Sequence, residues 1–248
     1  MNPRLSAIAD NIKRNPFEAS GDIYHPLPFP EFRSLRTSSA SKSAYRKWKL
    51  IKRSLSVLSP GTEVSVLDVG ANAGFYSFKF AQLGATVNAY EPHEHYARIG
   101  RQIVEATGLS VRWYNKPLEQ KDIVKEYDIA IMLSVFQWMS HGNEHIREAT
   151  EVLQSVAAAS RYLFFELGCN HGKSTIYTKE SPMAWVWQLL QRHTAPKKAA
   201  FLGTTAAWGR ARRYLFVCSE ERIELTPWQH LITTALQKRW IGPSRLHD

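Results

Sequence analysis

The most informative segment of the chain is Val66-Leu67-Asp68-Val69-Gly70-Ala71-Asn72-Ala73-Gly74-Phe75-Tyr76-Ser77. It begins as the apolar run of a buried strand and ends in a pattern that favours a helix. Gly70 and Gly74 lack a Cβ atom where the backbone must turn sharply and approach a ligand. A helix that begins near Gly74 presents free backbone N–H groups and the positive end of its dipole, which suit a carboxylate. The segment therefore predicts a strand, a ligand-binding loop and a helix in succession.

A carboxylate at the end of the next predicted strand is the second informative feature. Glu91 ends the next predicted strand, 17 residues after Gly74, where it can accept hydrogen bonds from both hydroxyls of a ribose. Two ligands fit this arrangement, S-adenosylmethionine or a dinucleotide. The glycines are spaced G-x-x-x-G, whereas a dinucleotide-binding loop needs G-x-G-x-x-G. A phosphate-binding P-loop is excluded, because Gly74 is followed by Phe75-Tyr76 and not by Lys and Ser or Thr.

Outside this segment, short apolar runs alternate with longer amphipathic stretches, which predicts an α/β fold with a largely parallel sheet. The predicted strands are Val64–Val69, Thr86–Tyr90, Val111–Tyr114, Ile129–Leu133, Tyr162–Leu167, Lys198–Gly203 and Arg213–Cys218. The predicted helices are Ser41–Leu55, Phe75–Leu83, His93–Thr107, Glu144–Ala159, Met183–His193 and one from Thr226 to about Trp240. The last two strands are joined too closely for a crossover helix, so we expect them to be antiparallel.

The loop motif resembles a known family. Asp68-Val69-Gly70-Ala71-Asn72-Ala73-Gly74 is similar to the first motif of the class I S-adenosylmethionine-dependent methyltransferases, and Glu91-Pro92 resembles their acidic ribose-binding position. The antiparallel pair near the C-terminus resembles their reversed seventh strand. The resemblance covers roughly residues 63–219. It implies a seven-stranded, mostly parallel Rossmann-like methyltransferase sheet with helices on both faces, and S-adenosylmethionine as the cofactor.

The resemblance also implies roles by position. Asp68 would stabilise the loop and bind the ligand amino group, Glu91 would hold the ribose, and Leu118 would pack on the adenine. Leu133-Ser134, at the end of the fourth predicted strand, would lie beside the sulfonium. The expected cofactor-binding residues are Asp68, Gly70, Ala71, Asn72, Gly74, Phe75, Glu91, Pro92, Leu118, Glu119, Leu133 and Ser134.

The acceptor side is expected where two loops leave the carboxyl ends of predicted strands, at residues 134–143 and 166–173. Leu133–Phe136 and Phe165–Leu167 resemble a narrower subgroup, which contains the methyltransferase domains that cap bacterial O-antigen polysaccharides and the RNA 5′-phosphate methyltransferases. Those enzymes methylate phosphate or hydroxyl oxygens. The acceptor of this chain is therefore expected to be a polar or anionic molecule.

A hydroxyl acceptor and an anionic acceptor need different groups. A hydroxyl needs a general base with a pKa near the working pH, and His141 and His171 are the candidates. Glu166 either orients one of these histidines or acts as a structural acid at the end of its strand. An anionic acceptor needs only basic residues to hold it. The expected substrate-binding residues are Arg46, Gln137, Trp138, Lys173, Arg210, Arg212 and Arg213.

The charge of the chain is unevenly distributed. The net charge is +10, and residues 32–62 carry eight Lys or Arg and no acid, while residues 181–219 carry six and no acid. This pattern indicates either a solvated basic surface or a basic rim for an anionic substrate. We expect residues 1–62 to form an N-terminal arm with a basic helix, because alternate prolines in His25–Pro30 oppose regular structure in residues 1–40. Residues 63–241 would form the methyltransferase domain, and residues 242–248 a tail.

Composition excludes several other classes of protein. Two cysteines give no disulfide framework and no zinc pattern, which favours a reducing compartment such as the cytoplasm. The sequence contains no run of about 18 apolar residues, so it predicts no membrane span. Met1–Lys13 lacks the apolar stretch of a signal peptide. The sequence thus predicts an S-adenosylmethionine-dependent methyltransferase that O-methylates a polar or anionic small molecule or glycan. An RNA or tRNA methyltransferase, and a non-catalytic nucleotide- or nucleic-acid-binding module on the same fold, are the alternatives.

Overall fold

The structure is a computed structural model, and it describes residues 1–39, 41–55, 63–172, 175–206 and 211–240. The predicted boundary at residue 62 and the predicted C-terminal tail lie outside the described residues.

A single seven-stranded sheet organises the described chain. Its strands lie in the order β3-β2-β1-β4-β5-β7-β6. They are β1 (Ser65–Val69), β2 (Thr86–Tyr90), β3 (Val111–Tyr114), β4 (Tyr127–Leu133), β5 (Ser160–Leu167), β6 (Lys198–Ala206) and β7 (Arg212–Ser219). Strands β1 to β5 pair in parallel, and β7 pairs antiparallel with both β5 and β6. This confirms the predicted mostly parallel sheet with a reversed last strand.

Helices cover both faces of the sheet. They are α1 (Pro3–Arg14), α2 (Ser41–Ser54), α3 (Phe75–Ala81), α4 (Glu94–Thr107), α5 (Phe136–Met139), α6 (Ile146–Ala158), α7 (Pro182–His193) and α8 (Pro227–Trp240). Helices α1 to α4 contribute to the hydrophobic core on one face, and α5 to α8 to the core on the other. None of the helices within the described ranges combines the length and the apolar composition needed to cross a membrane.

The central strands bury both of their faces. In β4, Ile129 and Ile131 belong to the core under α1 to α4, while Ala130 and Met132 belong to the opposite core. All four side chains are fully buried. This explains why the strand is apolar at every position and does not alternate with polar residues.

The prediction of an irregular arm over residues 1–40 was wrong in part, because α1 forms there. The side chain of Asn2 caps α1 by accepting from the backbone N–H groups of Arg4 and Leu5, and Pro3 occupies the first turn. The helix packs its apolar face into the core beside α4. The residues of that face are Leu5, Ala9 and Ile12.

The chain between α1 and α2 folds back on itself. The backbone N–H of Ile23 donates to the carbonyl of Arg36 at 3.2 Å, and Ser38 donates to the carbonyl of Ile23 at 2.9 Å. Gly21 allows this approach, because a Cβ atom there would lie only 2.8 Å from the backbone nitrogen of Ser38. These backbone hydrogen bonds hold the next two residues, Tyr24 and His25, at the edge of the sheet where the parallel strands end.

Candidate active site

The loop after β1 is fixed against the end of β2. The backbone N–H groups of Gly70 and Ala71 both donate to the carbonyl of Tyr90, at 2.9 and 3.0 Å. Gly70 has φ +72°, and a Cβ atom there would lie 2.6 Å from Cγ2 of Val135. A side chain at this position would therefore be strained and would also collide with the loop after β4. Asn72 adopts φ 52°, which a non-glycine residue rarely does.

Glu91 is buried at the end of β2 and ties this loop in place. Its Oε2 accepts from the backbone N–H of Asn72 and its Oε1 from that of His93, both at 2.8 Å. Burial raises the pKa of the carboxyl group, and the two backbone hydrogen bonds oppose the increase. Each carboxylate oxygen has two acceptor positions, so each retains one for a ligand hydroxyl.

Asp68 lies deeper, under the loop. Its carboxylate accepts a 2.5 Å hydrogen bond from Oγ of Ser77. Burial raises the pKa of Asp68 to about 7, assisted by the nearby negative charge of Glu91 and opposed by the bond from Ser77. The charge of this side chain therefore changes near neutral pH.

A cavity of about 770 Å³ opens at the carboxyl ends of β1, β2, β4 and β5. Strand order reverses between β1 and β4, and ligands of open parallel sheets bind at such a point. One part of the wall consists of Gly70, Asn72, Glu91, Leu133 and Ser134. Another part consists of Tyr24, His25, Lys47, His171 and Arg213.

The first part of the wall fits S-adenosylmethionine. Gly70 lines the cavity with its backbone, and Glu91 offers free acceptor positions for a ribose. The buried Oδ1 atom of Asn72 and Oε1 atom of Gln137 have no hydrogen-bond partner among the described residues. Buried polar atoms are normally paired, so these two atoms indicate a polar ligand at this end of the cavity.

An ion pair lies at the other end. Lys47 Nζ is 3.0 Å from Oε2 of Glu166, and both side chains are almost fully buried. Ser134 Oγ donates to the same Oε2 at 2.5 Å, and Thr205 Oγ1 donates to Oε1 at 2.6 Å. Burial alone would raise the pKa of Glu166, but Lys47, Arg213 and these two hydroxyls together lower it to about 2. Glu166 is therefore ionised and paired with Lys47, and its hydrogen bonds within the described residues go to Lys47, Ser134 and Thr205 and not to a loop histidine.

Three further polar groups surround this ion pair. Nε of Arg213, Nδ1 of His25 and the hydroxyl of Tyr76 are buried and have no hydrogen-bond partner in the described part of the chain. Lys47 and Arg213 supply two positive charges, and Glu166 beside them supplies one negative charge. The excess of one positive charge favours an anionic ligand group here.

The cavity brings together about half of the predicted site residues. It is lined by the predicted residues Gly70, Asn72, Glu91, Pro92, Leu133, Ser134, Gln137, Trp138, His171 and Arg213. Six others, all described, are not part of its lining. These are Asp68, Ala71, Gly74, Phe75, Leu118 and Glu119.

Some of the predicted catalytic and substrate-binding residues also line the cavity, and others do not. His171 lines the cavity, and its Nδ1 lies 2.9 Å from the carbonyl oxygen of Cys169. His141, Arg46 and Arg212 are exposed and do not line it. Lys173 and Arg210 lie outside the described residues.

Sequence reasoning missed Lys47, which the pattern could have revealed. Lys47 is three residues after Ala44 and four before Ile51, so it lies on the apolar face of α2, and all three side chains are buried. A lysine on a buried face needs a partner of opposite charge. His25 carried no comparable signal, because the proline-rich segment around it has no periodicity that assigns a face.

Comparisons with known proteins agree with this geometry. Residues 67–158 match the family described as "Methyltransferase domain". Among the curated protein sequences, none matches the chain.

Solved structures share the fold. The bifunctional kinase-methyltransferase WbdD superposes with a TM-score of 0.70 at 19% identity, over 88% of this chain and 47% of that one. The N-terminal domain of EvdMO1 with SAH bound gives 0.57 at 14% identity, over 89% and 98%. Magnesium protoporphyrin IX methyltransferase (ChlM) from Synechocystis PCC 6803 with bound SAM gives 0.54 at 20% identity, over 72% and 79%.

This chain spans about half the length of the WbdD chain that it matches. Residues 67–158 therefore contain a methyltransferase domain, and the described sheet with its reversed last strand has the fold of these solved structures.

Proposed function

We propose that the protein transfers the methyl group of S-adenosylmethionine to an oxygen atom of a polar acceptor that also carries an anionic group. The observation that carries the proposal is the second part of the cavity wall, where the two positive charges of Lys47 and Arg213 are offset by the single carboxylate of Glu166. Bound S-adenosylmethionine would supply a methyl group activated by its sulfonium. The residues of this chain then have to bind the acceptor, exclude water and align the attacking oxygen.

Positioning follows from the two parts of the cavity. Glu91 and the Gly70 loop would hold the cofactor at one end, and Lys47 and Arg213 the anionic group of the acceptor at the other. Ser134 lies between them, and its hydroxyl is fixed on Glu166. Its φ of 58° is a strained conformation that the surrounding structure must maintain. A rigid floor of this kind favours the in-line geometry that methyl transfer requires.

The binding of the cofactor is tested by calorimetry with S-adenosylmethionine, S-adenosylhomocysteine and NAD. We expect the first two to bind and NAD not to bind. A protein that binds neither sulfur ligand would contradict the proposal. Turnover is tested by the release of S-adenosylhomocysteine with a panel of hydroxylated anions and their neutral counterparts. Binding without turnover of any acceptor would favour a non-catalytic module.

Arg213 and Arg212 form a matched pair for testing the anionic group. Arg213 lines the cavity, whereas its neighbour Arg212 is exposed and does not. Arg213→Met should raise the KM for an anionic acceptor by about 10- to 150-fold, since a lost charge-assisted hydrogen bond is worth about 1.5–3 kcal/mol. Arg212→Met should change KM less than twofold. If the two substitutions changed KM equally, Arg213 would not bind the anionic group of the acceptor.

RNA is the second candidate acceptor, and one surface favours it. The outward face of α2 is basic and exposed, and it carries Lys42, Arg46, Lys49 and Arg53. Binding of RNA through such a face would weaken steeply with salt because counterions are released. A gel shift with RNA that responds to Arg46→Ala and to salt would support this candidate over a small acceptor.

A further inference from the structure

We propose that His25 is a catalytic residue whose unpartnered Nδ1 accepts the proton of the acceptor hydroxyl as its oxygen is methylated. The inference rests on the proposed function and deepens it. It specifies the reactive atom as the oxygen of a hydroxyl, not an oxygen that is already ionised, on a molecule whose anionic group lies elsewhere.

The geometry points to His25 for two reasons. The side chain lines the cavity, and its Nδ1 is buried with no hydrogen-bond partner among the described residues. The ring is also held in place, because it packs edge-on against Tyr24 with centroids 4.7 Å apart and against Tyr76 at 6.2 Å. A fixed side chain that lines a reaction cavity and carries an unpaired acceptor atom is suited to bind a donor hydroxyl.

The charges around the ring keep it neutral. Lys47 from α2 and Arg213 from β7 are positive, Glu166 from β5 is negative, and Tyr76 from α3 is uncharged because its pKa is raised by burial. Burial first, and then the two cations, lower the pKa of His25 to about 3, and Glu166 acts in the opposite direction. The imidazole therefore keeps a free lone pair across the pH range in which proteins function.

Such a weak base becomes effective when the acceptor binds. The anionic group of the acceptor would offset the positive charges of Lys47 and Arg213, and this raises the pKa of His25. Acceptors that lack an anionic group would leave His25 too weakly basic. The same charges would thus bind the acceptor and couple its binding to proton transfer.

The step balances. The bond from the hydroxyl oxygen to the methyl carbon forms while the sulfur–carbon bond breaks, and the electron pair of that bond stays on sulfur. The hydroxyl proton passes to Nδ1 of His25, which leaves an imidazolium that returns the proton to water. A protonated ether is a strong acid, so even a weak base can accept its proton in the transition state.

Nitrogen-15 NMR of the histidines tests the proton acceptor without an acceptor molecule. The complex with S-adenosylhomocysteine is titrated from pH 8 to pH 5, and the His25 signal is assigned by its absence in His25→Asn. Without phosphate we expect a neutral ring with Nδ1 unprotonated throughout this range, and with inorganic phosphate we expect protonation of His25 to begin within it. A proton on Nδ1, a titration near pH 6.5 without phosphate, or no response to phosphate would overturn the proposal.

Kinetics then test catalysis, with D-glycerate and glycerol 3-phosphate as acceptors and glycerol as the neutral control. His25→Asn should lower kcat by about 10²–10⁴-fold and leave the Kd of S-adenosylmethionine within twofold. His25→Gln checks the same loss in a second variant, thermal unfolding verifies folding, and the exposed His145→Asn is the control. The product should be an alkali-stable methyl ether.

The outcomes separate the two proposals. Unchanged kcat in His25→Asn, or a methyl ester as the product, would overturn the role of His25 while methyl transfer stands. Absence of S-adenosylmethionine binding in the wild-type protein would overturn the proposed function itself. If neither probe is methylated, the NMR titration decides for or against His25.

Discussion

The ammonium group of Lys47 lies 3.0 Å from the carboxylate of Glu166, although the two residues are 119 positions apart in the chain. Their contact joins α2 to β5 at the floor of the cavity. The N-terminal segment that carries Lys47 also carries His25, so residues that precede the loop motif form this end of the cavity together with His171 and Arg213. The matched methyltransferase domain begins only at residue 67.

Breaking this ion pair should cost stability, while replacing it should not. Lys47→Met should lower the free energy of unfolding by about 3–5 kcal/mol, because it leaves the buried carboxylate of Glu166 without a counterion. The double variant Lys47→Met/Glu166→Leu should recover most of this loss, since both desolvated charges are removed. Urea unfolding of the two single variants and the double variant measures the coupling. Additive losses would show that the two charges do not depend on each other.

Gly70 should be intolerant of any side chain. Gly70→Ala introduces a Cβ atom 2.6 Å from Val135 at a φ of +72°, so both strain and collision oppose it. We expect S-adenosylmethionine affinity to fall by more than tenfold, measured by calorimetry. Gly84→Ala is the control, because Gly84 has φ +90° but no atom within 4 Å of a Cβ. Val135→Ala should restore part of the binding to Gly70→Ala, and a failure to do so would assign the loss to backbone strain alone.

The sequence predicted most of the fold, because the central strands and their covering helices have strong and different periodicities. It missed α1, although the signal was present. Asn2-Pro3 is a cap followed by a first-turn proline, and Leu5, Ala9 and Ile12 recur at helical spacing. The alternate prolines of the segment that follows α1 predict irregular structure, and this prediction was extended over all of residues 1–40.

The cofactor end of the site was more predictable than the acceptor end. The loop around Gly70 and the acid Glu91 lie on adjacent strands, so local sequence motifs specify them. The acceptor end depends on contacts across the fold, such as Lys47 with Glu166, which no local motif encodes. The exposed Arg212 could not be distinguished by sequence from its neighbour Arg213, which lines the cavity.

The loop histidines provide a contrast with His25. His171 lines the cavity, and its Nδ1 lies 2.9 Å from the carbonyl oxygen of Cys169, whereas His141 is exposed and packs on His145. If His25 accepts the proton, the double variant His141→Ala/His171→Ala should retain kcat within about tenfold, well short of the loss typical of a general base. The wild-type kcat, measured at saturating S-adenosylmethionine and acceptor, should also lack an acid limb near pH 6.5. If the pH profile of kcat has an acid limb near pH 6.5, and this limb disappears in His141→Ala or in His171→Ala, the histidine that was replaced is the base.

The buried carboxyl group of Asp68 should make cofactor affinity depend on pH. Its pKa of about 7 in the free protein means that it is largely protonated at pH 6. The resemblance assigns Asp68 to the positively charged amino group of S-adenosylmethionine, which interacts better with the ionised form. Affinity should therefore increase as pH rises from 5.5 to 7.5, by up to about tenfold per pH unit below the pKa.

Two variants and one ligand isolate the contribution of Asp68. Asp68→Asn should remove this pH dependence and weaken binding at pH 7.5 by about 1–3 kcal/mol. Glu91→Gln should weaken binding by a similar amount through the ribose. The ligand 5′-methylthioadenosine has the ribose but lacks the α-amino group of the methionine part, so its affinity should respond to Glu91→Gln and not to Asp68→Asn. Equal responses of the two ligands to Asp68→Asn would place the amino group elsewhere.

The stability of the ligand-free protein should change in the opposite direction. The pKa of Asp68 is higher in the folded state than its ordinary value of 3.8, so the folded protein binds more protons than the unfolded chain between pH 3.8 and about 7. Stability linked to Asp68 is therefore fully present below pH 3.8 and is lost as pH rises through about 7. Asp68→Asn should accordingly raise the free energy of unfolding at pH 8 more than at pH 5, as measured by urea unfolding. An unchanged difference between the two pH values would show that Asp68 is already ionised in the folded protein, and the expected rise in cofactor affinity with pH would then have no basis.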